Sequence, residues 1–315
     1  MRTLSLLSLC LALVLLQASD ANEKLVIFGD SLSDNGNALV ITRGFPPPPY
    51  GDTYDKSGNT FPGRFTDGQN WVDYFPGVAK SFGVDIQAAT AYLQNPQSAT
   101  ATNFAVGGAT SAEGNAFSQV PQGGGLQIQI ATYLASVSQQ VSADDRYVIW
   151  IGANDFSAGI EPAQTVANIE SGIAKLSAKG ARTFVVINVP DISLTPLVKY
   201  MGGATVLAAK QFTLTANVLL AVELPLFALL HGISINLVDI NALFVPLVYS
   251  PGSFGFTNST GAAFNPTTDV VVSDPNDYVF WDGFHPTTRA HYIGAEFIFK
   301  AIFLRSRFHN FVSVR

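Results

Sequence analysis

The chain has 315 residues, 48% of them hydrophobic and only 13% charged, and its 17 Lys and Arg against 23 Asp and Glu leave a formal net charge of -6. A charged share so far below the about 25% of an ordinary soluble domain excludes a disordered chain and a coiled coil. The acidic balance without basic runs argues against a nucleic-acid partner, and four His with a single Cys exclude a Cys-based metal centre and a disulfide framework.

Residues 1–21 carry Arg2, an apolar stretch over 4–16 and small residues around Ala18 and Ala21. The stretch falls short of the ~20 residues that span a bilayer, so it reads as a secretory leader cut after Ala18 or Ala21. The remainder, 22–315, reads as one exported domain. Cys10 lies in the leader, so stability of the mature part rests on core burial rather than on disulfides.

Short apolar runs over 24–28, 146–151, 182–189 and 233–240 stop at Gly29, Gly152, Pro190 and Asn241, the pattern of buried strands. Between and after them, residues 126–137, 162–178, 204–230 and 286–304 have helical spacing. Strands alternating with helices predict a parallel sheet covered on both faces. Within the third helix, 216–230 is apolar but is interrupted by Glu223 and Pro225 and is shorter than ~18 residues. It reads as a buried helix, and no stable membrane insertion is expected. Two irregular stretches, 43–70 and 250–277, are expected as walls of a substrate cleft at the carboxyl ends of the strands. Pro46 to Pro49 favour a stiff polyproline segment, and Asn258-Ser259-Thr260 is a glycosylation sequon.

Four segments carry chemistry. Ser31 follows the first strand in Gly29-Asp30-Ser31-Leu32, a corner that suits a nucleophile and equally a structural turn. Asp282 stands three residues before His285; a histidine is the usual base for a serine hydroxyl and needs a carboxylate to orient it, though the pair also fits a residue before a helix. The glycines of Asn103-Phe104-Ala105-Val106-Gly107-Gly108 let backbone N–H groups approach a developing oxyanion, and Asn154 in Gly152-Ala153-Asn154-Asp155 offers a neutral donor; both segments are also common turns. His231, His291 and His309 lack such surroundings and read as structural.

In this order the four segments resemble the blocks of the GDSL esterase/lipase family, the SGNH hydrolases, over residues 24 to about 300. Ser33-Asp34-Asn35-Gly36-Asn37, Gly63-Arg64-Phe65-Thr66-Asp67-Gly68 and Trp281 are similar to secreted members, with Thr66-Asp67 where Ser-Asn or Ser-Asp is frequent. The resemblance implies a three-layer α/β/α sandwich with a flavodoxin-like parallel sheet of about five strands. It implies Ser31 as nucleophile, His285 as general base and Asp282 as its orienting acid. The Ser31 N–H, the Gly108 N–H and the Asn154 side chain would form the oxyanion hole. Gly108 is preferred to Gly107 because it lies five residues after Asn103. No metal or organic cofactor is required. The implied function is hydrolysis of a small-molecule or polysaccharide carboxylic ester, with an acetylesterase on carbohydrate esters preferred by analogy. A lipase or phospholipase-like hydrolase, or an acyltransferase, is the alternative; an inactive scaffold used for binding is the remote one.

Overall fold

The computed structural model describes residues 24–53, 57–120 and 124–304; the expected leader with Cys10, and His309, lie outside them. Four parallel strands form the central sheet in the order β1 (Leu25–Gly29), β2 (Arg146–Trp150), β3 (Thr183–Ile187), β4 (Ser234–Val238). A rudimentary fifth strand lies on the outer side of β1. Ile27 N–H donates to Thr102 O at 2.9 Å, Phe104 N–H to Ile27 O at 2.8 Å and Val106 N–H to Gly29 O at 3.1 Å. Counted in chain order the sheet then reads 2-1-3-4-5, the flavodoxin-like arrangement.

Side chains alternate between the two faces, and both faces are apolar because both are covered. Leu25, Ile27, Val148, Val185 and Val238 pack against α2 (Trp71–Ser81) and α9 (Thr288–Phe303). Val26, Phe28, Ile149, Phe184 and Val186 pack against α3 (Leu126–Ser136), α5 (Pro162–Ser177) and α7 (Gly203–His231). The shorter helices are α1 (Asn37–Thr42), α4 (Ala153–Ala158), α6 (Pro196–Tyr200) and α8 (Asn241–Tyr249).

Three expectations are corrected. The helix over 216–230 is not buried: α7 runs 29 residues through Glu223 and Pro225, and only one stripe, with Phe212, Ala216, Leu220 and Leu224, enters the core. Leu214, Val218, Val222, Leu226 and Leu229 are exposed. The reason is position: α7 is an outer layer that packs on α5 and the sheet from one side, with no described element over the other. By length and composition it is the one described helix able to cross a membrane, but its inner stripe belongs to this domain's own core.

The four prolines do not run as an extended helix. Tyr50 N–H bonds to Pro47 O at 3.2 Å and Asp52 N–H to Pro49 O at 3.3 Å, closing the segment into turns. The stretch 250–277 contains β5 (Asn258–Ala262), paired with β8 (Tyr278–Phe280), and the short hairpin β6 (Phe264–Asn265) and β7 (Val270–Val271). Like 43–70, it supports the site rather than walling a cleft: neither stretch contributes a residue to the lining of the cavity at the strand ends, and Phe264 stacks on Trp281 at 5.2 Å. Asn258 turns its side chain onto the N–H groups of Thr260 and Gly261 at the start of β5.

Candidate active site

All four strands point their carboxyl ends to one edge of the sheet, and a cavity of about 230 Å³ opens there. Ser31 reaches it from the turn after β1, Asn154 from the start of α4 after β2, Ile192 from beyond β3 and Leu243 from α8 after β4. His285 closes it from the loop between β8 and α9.

The turn after β1 is tied by Asp30, whose carbonyl accepts from Ser33 and Asp34 N–H and whose carboxylate accepts from Leu32 N–H at 3.0 Å. That leaves the Ser31 hydroxyl beside the imidazole. Ser31 Oγ lies 2.8 Å from His285 Nε2, and His285 Nδ1 lies 2.7 Å from Asp282 Oδ2. Asp282 Oδ1 accepts from the backbone N–H of Phe284 and His285, both at 2.7 Å, so the aspartate winds its own loop into the turn that presents the histidine. Trp281 N–H to His285 O at 2.7 Å closes that loop, and Phe65 packs on the imidazole at 5.4 Å. The structure therefore brings together the three side chains expected from residues 31, 282 and 285.

Burial opposes charge on Asp282 and His285, and the charges decide between them. Burial alone would lower the His285 pKa, but the Asp282 charge, its hydrogen bond and Asp30 together hold it above the ordinary histidine value. Burial would raise Asp282; the charge and donors of His285 and the Phe284 N–H outweigh it and keep the carboxylate ionised well below its usual range. Asp30, buried beside them, is pushed up to about 7 by desolvation against the Leu32 N–H and the His285 charge.

The glycine segment is positioned by Asp34. Its carboxylate accepts from Gly36, Asn37 and Ala38 N–H at the start of α1 and from Gly107 N–H at 2.8 Å. The Gly107 N–H is thereby used, whereas that of Gly108 meets no acceptor among the described residues. Gly108 adopts φ +77, and a Cβ there would collide with Asn115 and the Phe117 ring. It adjoins the cavity, its carbonyl accepting from the N–H of the lining residue Ala116 at 2.7 Å. Asn154 lines the cavity and spends one amide hydrogen on Ala109 O at 3.0 Å, which ties it to the glycine segment and leaves its other hydrogen for a ligand. Beneath it, buried Asp155 accepts from Ser111 N–H and Thr165 Oγ1 and anchors the start of α4.

Sequence reasoning missed three contributors. Tyr50 donates its hydroxyl to Asp282 Oδ2 at 2.7 Å. The helix α8 supplies Leu243, Phe244 and Leu247 to the cavity; its apolar run over 242–248, interrupted only by Pro246, was the available signal. His291, expected to be structural, also lines the cavity, and burial, with the nearby His285 charge, pushes its pKa down to about 3, so it stays neutral. Among the described residues no group of three or more His, Cys, Asp and Glu is placed to hold a metal.

The pattern defining the GDSL-like lipase/acylhydrolases matches residues 25–298. The thermolabile hemolysin of Vibrio parahaemolyticus is 26% identical over 299 residues, covering 88% of this chain and 63% of its own length. A phosphatidylcholine-sterol acyltransferase of Aeromonas hydrophila is 24% identical over 339 residues, covering 87% of this chain and 89% of its own. A GDSL esterase/lipase of Arabidopsis thaliana is 27% identical over 335 residues, with 87% and 84% covered. Among solved structures, an acetylxylan esterase from Geobacillus stearothermophilus resembles the chain at TM-score 0.47 and 15% identity, over 90% of this chain and 94% of its own. The chain belongs to the GDSL-like lipase/acylhydrolase family of carboxylic ester hydrolases.

Proposed function

We propose that this chain is a secreted serine esterase in which Ser31, His285 and Asp282 act as a triad on carboxylic esters with an apolar acyl chain. The observation that carries the reading is the unbroken relay from Ser31 Oγ through His285 to Asp282, at 2.8 and 2.7 Å, on the rim of one cavity. Ser31 Oγ attacks the ester carbonyl while His285 Nε2 takes its proton, and Asp282 holds the other ring nitrogen and stabilises the imidazolium. The N–H groups of Ser31 and Gly108 and the free Asn154 amide hydrogen receive the oxyanion, donors worth roughly 3–4 kcal/mol each in the barrier. The leaving alcohol takes the proton from His285. Water, deprotonated by the same ring, then hydrolyses the acyl-enzyme and releases the acid.

Of the two substrate readings, the cavity favours the apolar acyl chain over the carbohydrate acetyl ester. Phe156, Ile192, Val198, Phe244 and Leu247 line it beyond Ser31, and that wall offers a sugar few hydrogen-bonding partners. Purified protein should hydrolyse p-nitrophenyl esters with kcat/KM rising from acetyl to medium chains; a preference confined to acetyl would return the reading to an acetylesterase. Ser31→Ala should remove at least about a thousandfold of turnover with the fold retained. Retained turnover would end the triad assignment. Export is supported by the leader-like residues 1–21, and N-terminal sequencing of protein from the medium should start at residue 19 or 22.

A further inference from the structure

We infer that Tyr50, presented by the folded proline loop, is a positioning residue that donates a hydrogen bond to the same Asp282 oxygen that holds His285 and so sets the basicity of that imidazole.

The carboxylate of Asp282 has four acceptor sites, and four donors meet it. Phe284 and His285 N–H occupy Oδ1; His285 Nδ1 and Tyr50 Oη share Oδ2 at 2.7 Å each. Three of these donors come from the aspartate's own loop. The fourth arrives from 232 residues away, so it is held by tertiary structure alone. Its ring is fixed on three sides by edge contacts with Phe65 at 6.4 Å, Phe264 at 5.6 Å and Trp281 at 6.1 Å. Its backbone is fixed by the next residue. Gly51 donates to Thr66 O and accepts from Phe61 N–H, both at 2.7 Å, at φ +75, and a Cβ there would collide with the Phe61 carbonyl. The phenol itself stays protonated, because burial and the adjacent Asp282 charge push its pKa well above the ordinary tyrosine value.

A hydroxyl bonded to a carboxylate spreads its charge and lowers its basicity. Since His285 draws its raised proton affinity from that charge, the Tyr50 hydrogen bond restrains the rise. The other groups facing the ring are Asp30, which raises its pKa, and His291, whose burial keeps it neutral. Neither lies on the Tyr50 loop, so altering Tyr50 changes one input only.

The kinetic arm of the test rests on the esterase reading; the spectroscopic arm does not. Tyr50→Phe keeps the ring contacts and removes the donor. In NMR titration of the full-length protein, the His285 imidazole should titrate about half a pH unit higher, a threefold gain in proton affinity. The downfield proton of the Asp282–His285 hydrogen bond should shift with it. Replacement of Tyr50 by 3-fluorotyrosine, a stronger donor, should move the titration in the opposite direction. In kinetics the acid limb of kcat/KM should follow the same two shifts, with the loss in kcat rather than KM. A purely structural tyrosine would change thermal stability and leave both titrations in place, and that outcome overturns the inference. Inactivity of the wild-type protein on every ester would overturn the esterase reading while the NMR arm still decides the role of Tyr50.

Discussion

In the proposed mechanism the His285 ring can act as a base only when neutral, and its environment makes neutrality harder to reach. Burial disfavours the imidazolium, but the Asp282 charge and hydrogen bond, helped by Asp30, favour it more, so its pKa lies above the ordinary 6.5. A group raised in this way is inactive as a base below its own pKa. The kcat/KM profile should therefore fall on the acid side with a midpoint above pH 6.5, and a plateau continuing below pH 6 would count against His285 as base. Asp30, pushed up to about 7, titrates in the same range, so the limb belongs to the coupled pair rather than to one residue. Asp282→Asn keeps the turn formed by the N–H groups of Phe284 and His285 but removes the charge; a fall in kcat of roughly three to four orders of magnitude is expected, read at the pH optimum. Gly108→Ala forces a side chain into φ +77 and against Phe117. It should cost about 1–3 kcal/mol in denaturant unfolding and depress turnover further than that loss explains.

Among the elements, α7 carries two faces of unequal weight. Leu220 is fully buried among α5 and the sheet, while Leu229 is 78% exposed. Leu220→Ala should destabilise by about 2–4 kcal/mol, whereas Leu229→Ser should stay within about 0.5 kcal/mol and improve solubility. Reversal of that order in urea unfolding would show that the outer stripe is covered in solution. The reading of 216–230 as buried failed because apolar periodicity reports which residues avoid water, not whether a neighbour is there to cover them. The helix α2 was overlooked for the opposite reason: Pro76 inside it and the glycine-rich approach masked a helix start that the Asn70–Asp73 capping box, with reciprocal side-chain bonds, does signal. In α8, Pro246 concealed a helix in the same way, and with it the residues Leu243, Phe244 and Leu247.

At the scale of the molecule, the cavity joins the ends of all four strands, so its width is set by elements far apart in sequence. Leu243→Trp should fill the space beyond Ser31 and lower the preference for octanoyl over acetyl ester by roughly tenfold or more, with acetyl hydrolysis retained. Equal loss on both esters would mean that the acyl chain lies elsewhere. Much of this architecture was legible beforehand. The alternation of buried strands with amphipathic helices is local, because each apolar run must find cover, and it specified the parallel sheet. Residue types alone left 31, 108, 154, 282 and 285 open as ordinary turn residues; it was the order of the four segments, through their resemblance to the GDSL blocks, that singled them out. Tertiary structure alone decided the rest: that Asp34 occupies the Gly107 N–H and leaves Gly108 free, that α8 walls the cavity, and that Tyr50 completes the carboxylate of Asp282. Each of these is a contact between distant parts of the chain, and no local pattern encodes the partner of a long-range hydrogen bond.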